Sequence, residues 1–214
     1  MKVGVLGSGD VARTLAAGLT AHGHEVMLGT RDAAKLAEWQ AQNAAVTVGT
    51  VEATAAFAEL VILAVKGTVA LAVVRQVGEA IAGKPVIDAC NPIADAAPDH
   101  GVLHFFTGPG ESLMEMLQKA CPAAHFVKAF NSVGHALMID PELEGGPPTM
   151  FVCGDDATAK ATVSRLLGEV GWDAADMGGV QAARAIEPLC MLWCIPGFLR
   201  NDWVHAFKLL RAKA

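Results

Sequence analysis

Tyrosine is absent from the 214-residue chain. Short-chain dehydrogenases transfer a proton through a Tyr-x-x-x-Lys pair, so this class is excluded, together with every other mechanism that needs a tyrosine acid. The rest of the composition is ordinary for a globular protein, with 53% apolar and 18% charged residues. A chain of this length can bury one good core, and its apolar content favours a well-buried parallel sheet.

Basic clusters, long apolar runs and paired cysteines are also lacking. The formal net charge of −6 argues against nucleic acid or an anionic membrane as the main partner. We expect no signal peptide, and the longest nearly apolar stretch, residues 53–65, contains Glu59 and is too short to span a bilayer. Five cysteines without a scaffold-like spacing are typical of reduced thiols. We therefore expect a cytoplasmic protein with no nucleic-acid or membrane partner.

A glycine-rich turn follows the first apolar run. Residues 2–6 are predicted to form a buried strand, and residues 7–12, Gly-Ser-Gly-Asp-Val-Ala, lead into a helix with an apolar stripe. Strand, G-x-G-x-x-(G/A) and helix form the dinucleotide-binding fingerprint, in which Gly7 makes the tight turn and Gly9 lets the backbone approach a pyrophosphate. The free N–H groups of the helix would hold that pyrophosphate. Asp10 is unusual here, because a carboxylate repels a bound diphosphate.

The end of the second predicted strand, residues 24–28, indicates which dinucleotide is preferred. An NAD site places an acidic residue here for the ribose 2′-hydroxyl, whereas an NADP site offers hydroxyls and an arginine to the 2′-phosphate. The chain has Thr30 and Arg31, with Lys35 one turn into the next helix. Because a guanidinium binds phosphate through two charge-assisted hydrogen bonds, we expect a preference for NADP. In the alternative interpretation, Asp32 caps the helix and Arg31 is merely solvated.

Apolar runs alternate with helical patterns along most of the chain, which predicts a doubly wound (Rossmann) α/β fold with a parallel sheet. The run 60–65 is apolar throughout, as in a central strand that is buried on both faces. We expect one dinucleotide-binding domain at residues 1–178. The remaining strands are predicted at residues 45–48, 85–88, 125–129, 149–153 and 172–177.

The last segment, residues 179–214, is predicted to be a helical tail that completes either the site or a dimer interface. From Gln181 the pattern is helical to the end, with breaks at Pro188 and Pro196. Aromatic residues are concentrated near the end of the chain, so we expect the aromatic face of residues 193–207 to lie in a homodimer interface. One face of the predicted final helix carries Leu199, Trp203, Phe207 and Leu210.

Histidines and cysteines are not arranged for metal binding. His100 and His104 lie in the long loop 93–110, whose Pro and Gly residues exclude a helix, and no carboxylate or cysteine completes a ligand set. Cys190 and Cys194 are one helical turn apart, and we expect them to be small buried side chains rather than a redox pair. The long loop is expected to be functional or mobile. The sequence offers no acid–base group that would serve as a catalytic residue.

Several motifs occur in the order typical of one family. They are Val5-Leu6-Gly7-Ser8-Gly9, Gly29-Thr30-Arg31, Asn91-Pro92, Lys128-Ala129-Phe130-Asn131-Ser132-Val133 and Gly154-Asp155-Asp156. With these motifs the chain resembles the coenzyme F420-dependent NADP oxidoreductases over about residues 2–190. The Ala-Phe-Asn block is the most specific part. The N-terminal module of this family also looks like the one in STEAP metalloreductases.

The resemblance implies NADP as the cofactor and coenzyme F420 as a candidate second one. In the family, the 2′-phosphate is held by a hydroxy residue between the first glycines, a Ser/Thr-Arg pair and a basic residue one turn later. The ends of two later strands line the nicotinamide. The chain has Asp10 where the family usually has Asn and Ala12 where it has Gly. The expected cofactor-binding residues are Gly7, Ser8, Gly9, Asp10, Val11, Thr30, Arg31, Lys35, Ala64, Val65, Asn91, Pro92, Ala129, Phe130 and Asn131.

The activity that the resemblance implies is hydride transfer between the nicotinamide and coenzyme F420 or a flavin-like acceptor. Two stacked rings need proximity and orientation rather than a nucleophile. One alternative is an NADPH-dependent dehydrogenase or imine reductase of the β-hydroxyacid dehydrogenase type. Those enzymes complete their site with a large helical domain, whereas only a short tail follows residue 178. Another alternative is a non-catalytic NADPH-binding sensor, since a fold does not certify turnover.

Overall fold

The first apolar run of the chain forms the central strand, β1 (Lys2–Leu6). In the computed structural model, which describes residues 1–212, β1 pairs in parallel with one strand on each side. Val3, Val5 and Leu6 are buried. A strand that is covered on both faces needs apolar residues at successive positions, and the sequence of β1 meets this need.

The main sheet consists of β1 and five further strands, β2 (Glu25–Gly29), β3 (Thr47–Gly49), β4 (Leu60–Leu63), β5 (Pro85–Asp88) and β6 (His125–Lys128). All neighbours are parallel, in the order β3-β2-β1-β4-β5-β6. The chain therefore changes direction across the sheet between β3 and β4. Ligands of doubly wound folds bind at such a switch point, beyond the carboxyl ends of the strands.

Helices pack on both faces of this sheet, with one hydrophobic core on each side, which confirms the predicted α/β fold. Short 3₁₀ helices occur at Ala33–Leu36, His135–Leu137 and Val180–Ala182. The α-helices are α1 (Asp10–Ala21), α2 (Ala37–Gln42), α3 (Val51–Phe57), α4 (Gly67–Ile81), α5 (Leu113–Ala120), α6 (Ala157–Glu169), α7 (Ala183–Ile186) and α8 (Pro188–Arg200).

Two further strands, β7 (Thr149–Val152) and β8 (Asp173–Asp176), form a separate parallel pair connected by α6. An antiparallel bridge between Lys128 and Cys153 joins this pair to the end of β6. The boundary predicted at residue 178 falls just after β8. The division into a domain and a tail stays a prediction.

The tail differs from the prediction in two ways. The predicted break at Pro196 is wrong, because α8 contains this residue in its interior. α8 ends at Arg200, because Asn201 adopts a left-handed conformation with φ of 56° that a helix interior does not allow. The predicted continuation of the helix to the end of the chain is therefore wrong, although its last two residues lie outside the described part. The residues predicted to share a face with Leu199, namely Trp203, Phe207 and Leu210, are not helical.

A C-terminal strap (residues 201–212) takes the place of that helix and runs past β7. The N–H of Thr149 donates to the carbonyl of Phe207 (2.8 Å), and the N–H of Leu209 donates to the hydroxyl of Thr149 (3.0 Å). These hydrogen bonds satisfy one carbonyl and one N–H of the strap in a non-helical conformation.

The aromatic residues of the tail pack on one another. Trp193 is buried, and its ring centroid lies 5.6 Å from that of Trp203 and 5.1 Å from that of His205. Phe198 meets Trp203 edge-on at 5.3 Å. The indole N–H of Trp193 donates to the carbonyl of His205 (2.8 Å). Contacts within one chain therefore account for part of the aromatic density of the tail.

One helical stretch, Val180–Arg200, has 21 residues and could cross a membrane judged by length and composition alone. Of its 18-residue apolar window, 33% is buried inside the protein. Length and composition alone do not distinguish a membrane-spanning helix from a helix of a globular protein. The predicted absence of a membrane partner stays a prediction.

Candidate functional site

The predicted cofactor segments meet at one edge of the main sheet. They follow the carboxyl ends of five neighbouring parallel strands, β2, β1, β4, β5 and β6. At a strand spacing of about 4.8 Å, this row is roughly 19 Å long. Thr30 lies at one end of the row and Ala129 at the other, with Gly7 between them. A row of this kind suits an extended ligand whose phosphates lie at the end of β1, between the two ends of the row.

Gly7 and Gly9 shape the turn between β1 and α1. Gly7 has a φ of 141°, and a Cβ there would clash with the carbonyl oxygen of Ala64 at the end of β4, so only glycine fits. Gly9 differs, because its φ of −79° is ordinary and a Cβ there would meet no described atom within 4 Å. The space in front of Gly9 is open, as a bound pyrophosphate requires.

The N-terminus of α1 faces this open space. Its N-cap, Gly9, has no side chain to accept hydrogen bonds from the first N–H groups, so these donors can serve an anion. Asp10 lies in the first turn, where Nη2 of Arg13 is 3.1 Å from its Oδ1. The arginine therefore offsets the repulsion that Asp10 would exert on a phosphate. Ser8 is half-buried in the same turn, and Val11 packs against the core.

The end of β2 carries the residues predicted to select NADP. Thr30 is buried, and its hydroxyl accepts the N–H of Asp32 (3.2 Å). Asp32 accepts the N–H of Ala34 (3.2 Å) and caps a 3₁₀ helix, as the alternative interpretation requires, while Nζ of Lys35 lies 3.7 Å from its Oδ2. Arg31 is exposed, and no hydrogen bond or ion pair to another described residue holds its guanidinium. Capping by Asp32 thus leaves Arg31 available to an anion.

Asn91 and Asn131 meet at the ends of β5 and β6. Nδ2 of Asn91 donates to the backbone carbonyl of Asn131 (2.7 Å). Nδ2 of Asn131 donates to Oδ1 of Asn91 (3.2 Å) and to the carbonyl of Ile186 (3.0 Å). Within residues 1–212, the buried Oδ1 of Asn131 has no hydrogen-bond donor. An orphaned buried acceptor is costly, so a ligand N–H at this position would stabilise it.

A cavity of about 300 Å³ opens at the ends of β4 and β5. Val65, Cys90 and Asn91 belong to its lining. Pro92 and Ala129, which are predicted to line the nicotinamide together with Asn91, are buried at the same edge of the sheet. Of the predicted nicotinamide residues, Asn91 lines this space, whereas Pro92, Ala129, Phe130 and Asn131 lie beside it and do not belong to its lining.

Phe130 holds a strained backbone conformation at the end of β6. Its φ is 62°, in the left-handed region that bulky side chains rarely adopt, and its ring is buried. The neighbouring Asn131 owes its position to this turn. Strain of this kind is concentrated at ligand sites, where the surrounding fold enforces it.

A buried ion cluster that the sequence does not predict lies beneath this end of the site. Nζ of Lys128 is 2.6 Å from Oδ2 of Asp88 and 2.9 Å from Oε1 of Glu187. All three side chains are buried. Nζ also donates to the carbonyl of Cys90 (3.0 Å), the residue before Asn91. The cluster thus ties the ends of β5 and β6 to the junction between α7 and α8.

The carboxylates of this cluster have further hydrogen-bond donors. Asp88 accepts the N–H of Cys90 (2.9 Å), and Glu187 accepts the N–H groups of Leu113 and Met114 at the start of α5 (3.0 Å each). Burial lowers the pKa of Lys128, but the two carboxylates raise it more, so the pKa lies above its ordinary value. The lysine stays charged, and with a side-chain exposure of 0% it does not reach a substrate.

The cysteines near the site are neutral thiols. Burial raises the pKa of Cys90 well above its ordinary value and that of Cys153 to about 12. Cys190 is buried, as predicted, and Cys194 is half-buried. Within residues 1–212, His, Cys, Asp and Glu side chains form no group of three that could hold a metal ion.

Comparisons match this chain to known proteins over most of its length. The family described as NADP oxidoreductase coenzyme F420-dependent matches residues 2–92. The F420-dependent NADP reductase of Methanothermobacter marburgensis is 31% identical over 232 residues, which cover 98% of this chain and 99% of the relative. Metalloreductase STEAP3 of Rattus norvegicus is 33% identical over 203 residues, which cover 92% of this chain but 39% of the metalloreductase.

A solved structure is similar over the whole chain. It is the crystal structure of an Arthrobacter sp. FB24 protein assigned as an F420-dependent NADP reductase. The TM-score is 0.92 at 35% identity, and the match covers 99% of this chain and 100% of that chain.

Proposed function

The chain belongs to the family of coenzyme F420-dependent NADP oxidoreductases, and we propose that it transfers hydride between NADP(H) and coenzyme F420 or a flavin-like acceptor. The observation that carries the proposal is the row of five strand ends. The open N-terminus of α1 follows β1, the second strand of the row. Arg31, which has no partner among residues 1–212, lies at one end of the row, and the orphaned amide oxygen of Asn131 lies at the other. Full-length similarity to an F420-dependent NADP reductase supports the choice of cofactors.

The residues present fit NADP. The first N–H groups of α1 would hold the diphosphate in the space that Gly9 leaves open. Arg31 would bind the 2′-phosphate, with Ser8, Thr30 and Lys35 beside it. Oδ1 of Asn131 would accept the carboxamide N–H, and Asn91 orients that side chain. Bound NADP(H) supplies the hydride chemistry, while these residues bind and orient it.

The acceptor side of the cleft lies near the long loop and α8. A Cβ on Gly101 would lie 3.1 Å from Cγ of Leu199, so the loop and the helix are in contact. A bridge between Ile93 and Phe105 orders the loop. The long loop and α8 are rich in apolar residues, which suits a large flat heterocycle better than a small hydroxy acid, because the acid would need clustered basic side chains.

Stopped-flow measurement of F420 absorbance tests this proposal. We expect NADPH to reduce oxidised F420, with free flavin as a poorer acceptor. NADPH that carries deuterium at C4 would transfer the label directly to the deazaflavin. If no deuterium reaches F420 while a small carbonyl or imine compound is reduced readily, the dehydrogenase alternative replaces the proposal. Tight NADPH binding without turnover of any acceptor would favour the sensor.

Assembly and location are the remaining parts of the proposed function. On α8, Leu192 and Leu199 are each 55% exposed, and their spacing of seven residues places them on one face, which a second copy of the chain would cover in a homodimer. Trp193 does not belong to this face, because it is buried within its own chain. We retain a cytoplasmic location as part of the proposal.

A further inference from the structure

The buried cluster of Asp88, Lys128 and Glu187 carries a net negative charge. The ammonium group of Lys128 contacts both carboxylates directly, and backbone N–H groups donate further hydrogen bonds to each carboxylate. One cation and two anions leave a surplus of one negative charge. The three side chains are at most 2% exposed, so water screens this surplus weakly.

Neighbouring charges do not cancel the surplus. The N-terminus of α5, which donates to Glu187, carries a partial positive charge of roughly half a unit at most. Lys66 and Asp95 line the nearby cavity, but they have opposite signs and are exposed. Arg184 is partly exposed and already paired with Glu115. A negative field therefore remains at this edge of the sheet.

This field lies at the proposed nicotinamide end of the site. Lys128 donates to the carbonyl of Cys90, and Cys90 and Asn91 both line the cavity at the ends of β4 and β5. Asp88 is three residues before Asn91, so at most about 10 Å of extended chain separates the cluster from the cavity wall.

We infer that the cluster favours binding of the oxidised cofactor, NADP⁺, over the reduced cofactor, NADPH. The oxidised nicotinamide ring carries one positive charge and the reduced ring is neutral, so a buried negative charge stabilises only the oxidised form. The inference rests on the proposed function, because it requires the ring to lie beside Asn91. Its consequence is that bound NADPH becomes a stronger hydride donor.

The expected size of the effect follows from Coulomb's law. One charge at about 8–10 Å in an effective dielectric constant of about 20 changes the ratio of the two dissociation constants by about 10- to 30-fold. For a two-electron couple, each factor of ten corresponds to about 30 mV in the potential of the bound cofactor.

A matched pair of variants separates charge from structure. Asp88→Asn removes one negative charge and makes the cluster neutral, so NADP⁺ is expected to bind about 10- to 30-fold more weakly relative to NADPH. Adding Lys128→Met to Asp88→Asn restores the net charge of −1, because Glu187 keeps its two N–H donors. The double variant is therefore expected to recover the wild-type ratio, although it has lost more contacts.

Both dissociation constants are measured by titration of NADPH fluorescence and by competition with NADP⁺, after melting curves have shown that each variant is folded. Glu187→Gln also gives a neutral cluster and carries the same expectation if Asp88→Asn does not fold. Glu59→Gln is the control, since Glu59 is exposed at the opposite edge of the sheet, where it accepts the N–H of Lys2 (2.7 Å).

The outcomes are distinct. A shifted ratio in Asp88→Asn with recovery in the double variant supports the inference. An unchanged ratio, or a double variant that departs further from the wild type than the single one, overturns it. If the wild type binds neither nucleotide, the proposed function itself fails.

Discussion

Replacing Arg31 with alanine gives the sharpest test of the cofactor assignment. The guanidinium is exposed at the end of β2 and has no hydrogen bond or ion pair to another residue within 1–212. Arg31→Ala therefore removes a ligand contact without removing a structural one, and the free energy of unfolding is expected to change by at most about 0.5 kcal/mol. Binding of NADPH is expected to weaken, whereas binding of NADH, which lacks the 2′-phosphate, is expected to stay unchanged.

The magnitude follows from the lost charge-assisted hydrogen bond. Such a bond contributes about 1.5–3 kcal/mol, which corresponds to roughly 10- to 150-fold in affinity. Lys35 is expected to contribute less, because its side chain is 78% exposed and its Nζ lies 3.7 Å from Asp32. Arg31→Lys keeps the charge but loses the bidentate geometry, so its affinity for NADPH is expected to lie between those of the wild type and Arg31→Ala.

Fluorescence titration of both nucleotides against the wild type and the variants decides the matter. Arg165→Ala is the matched control, because it removes an arginine on α6 that is 64% exposed and is expected to change neither affinity. Equal affinities of the wild type for NADPH and NADH would refute the assignment. The assignment also fails if Arg31→Ala weakens the binding of NADH as strongly as that of NADPH.

Gly9→Val is expected to leave the melting temperature nearly unchanged, because its Cβ enters open space. The same side chain would occupy the proposed diphosphate site, so NADPH binding is expected to weaken by at least about 10-fold. Gly7→Ala is expected to lower the melting temperature, because its Cβ would clash with the carbonyl of Ala64. Arg184 holds the pKa of Glu115 at about 2, so this carboxylate stabilises the fold above its ordinary pKa of 4.5 and the stability is lost as the pH falls towards 2. Arg184→Ala is expected to lower the free energy of unfolding at neutral pH and to remove this pH dependence. A urea titration of the variant that shows an unchanged pH profile would count against this explanation. Leu192→Glu is expected to lower the molar mass measured by light scattering from that of a dimer to that of a monomer. A wild type that is monomeric at micromolar concentration would contradict the proposed dimer interface.

The parallel sheet could be predicted because most of its strands are short apolar runs that stop at a polar or glycine-containing turn. Residues 60–65 are the clearest case, since a run without polar residues is typical of a strand that is buried on both faces. The final helix could not be predicted correctly. Trp203 and Phe207 recur at a helical spacing, but hydrogen bonds to Thr149 on a distant strand hold the strap in another conformation. Local periodicity carries no information about such a partner.

The candidate site was predictable in its placement rather than in its detail. Gly7, Thr30 and Asn91 each follow a strand, and parallel strands bring their carboxyl ends to one edge. The mutual hydrogen bonds of Asn91 and Asn131 depend on the strand order, which places β5 next to β6. The sequence identifies both residues, but only the fold shows that they form one unit.

The sequence contains a sign of the buried cluster, but it does not identify the partners of the lysine. Lys128 stands inside an apolar strand, and a lysine at such a position needs an anionic partner. Asp88 and Glu187 lie on other elements, so the sequence alone could not supply them. One carboxylate would have neutralised the lysine, and burying a second one costs desolvation energy that the hydrogen bonds to α5 offset only in part. The surplus negative charge therefore needs a reason beyond neutralising the lysine. The nicotinamide ring gains a positive charge when it gives up hydride, and the second carboxylate would stabilise that charge.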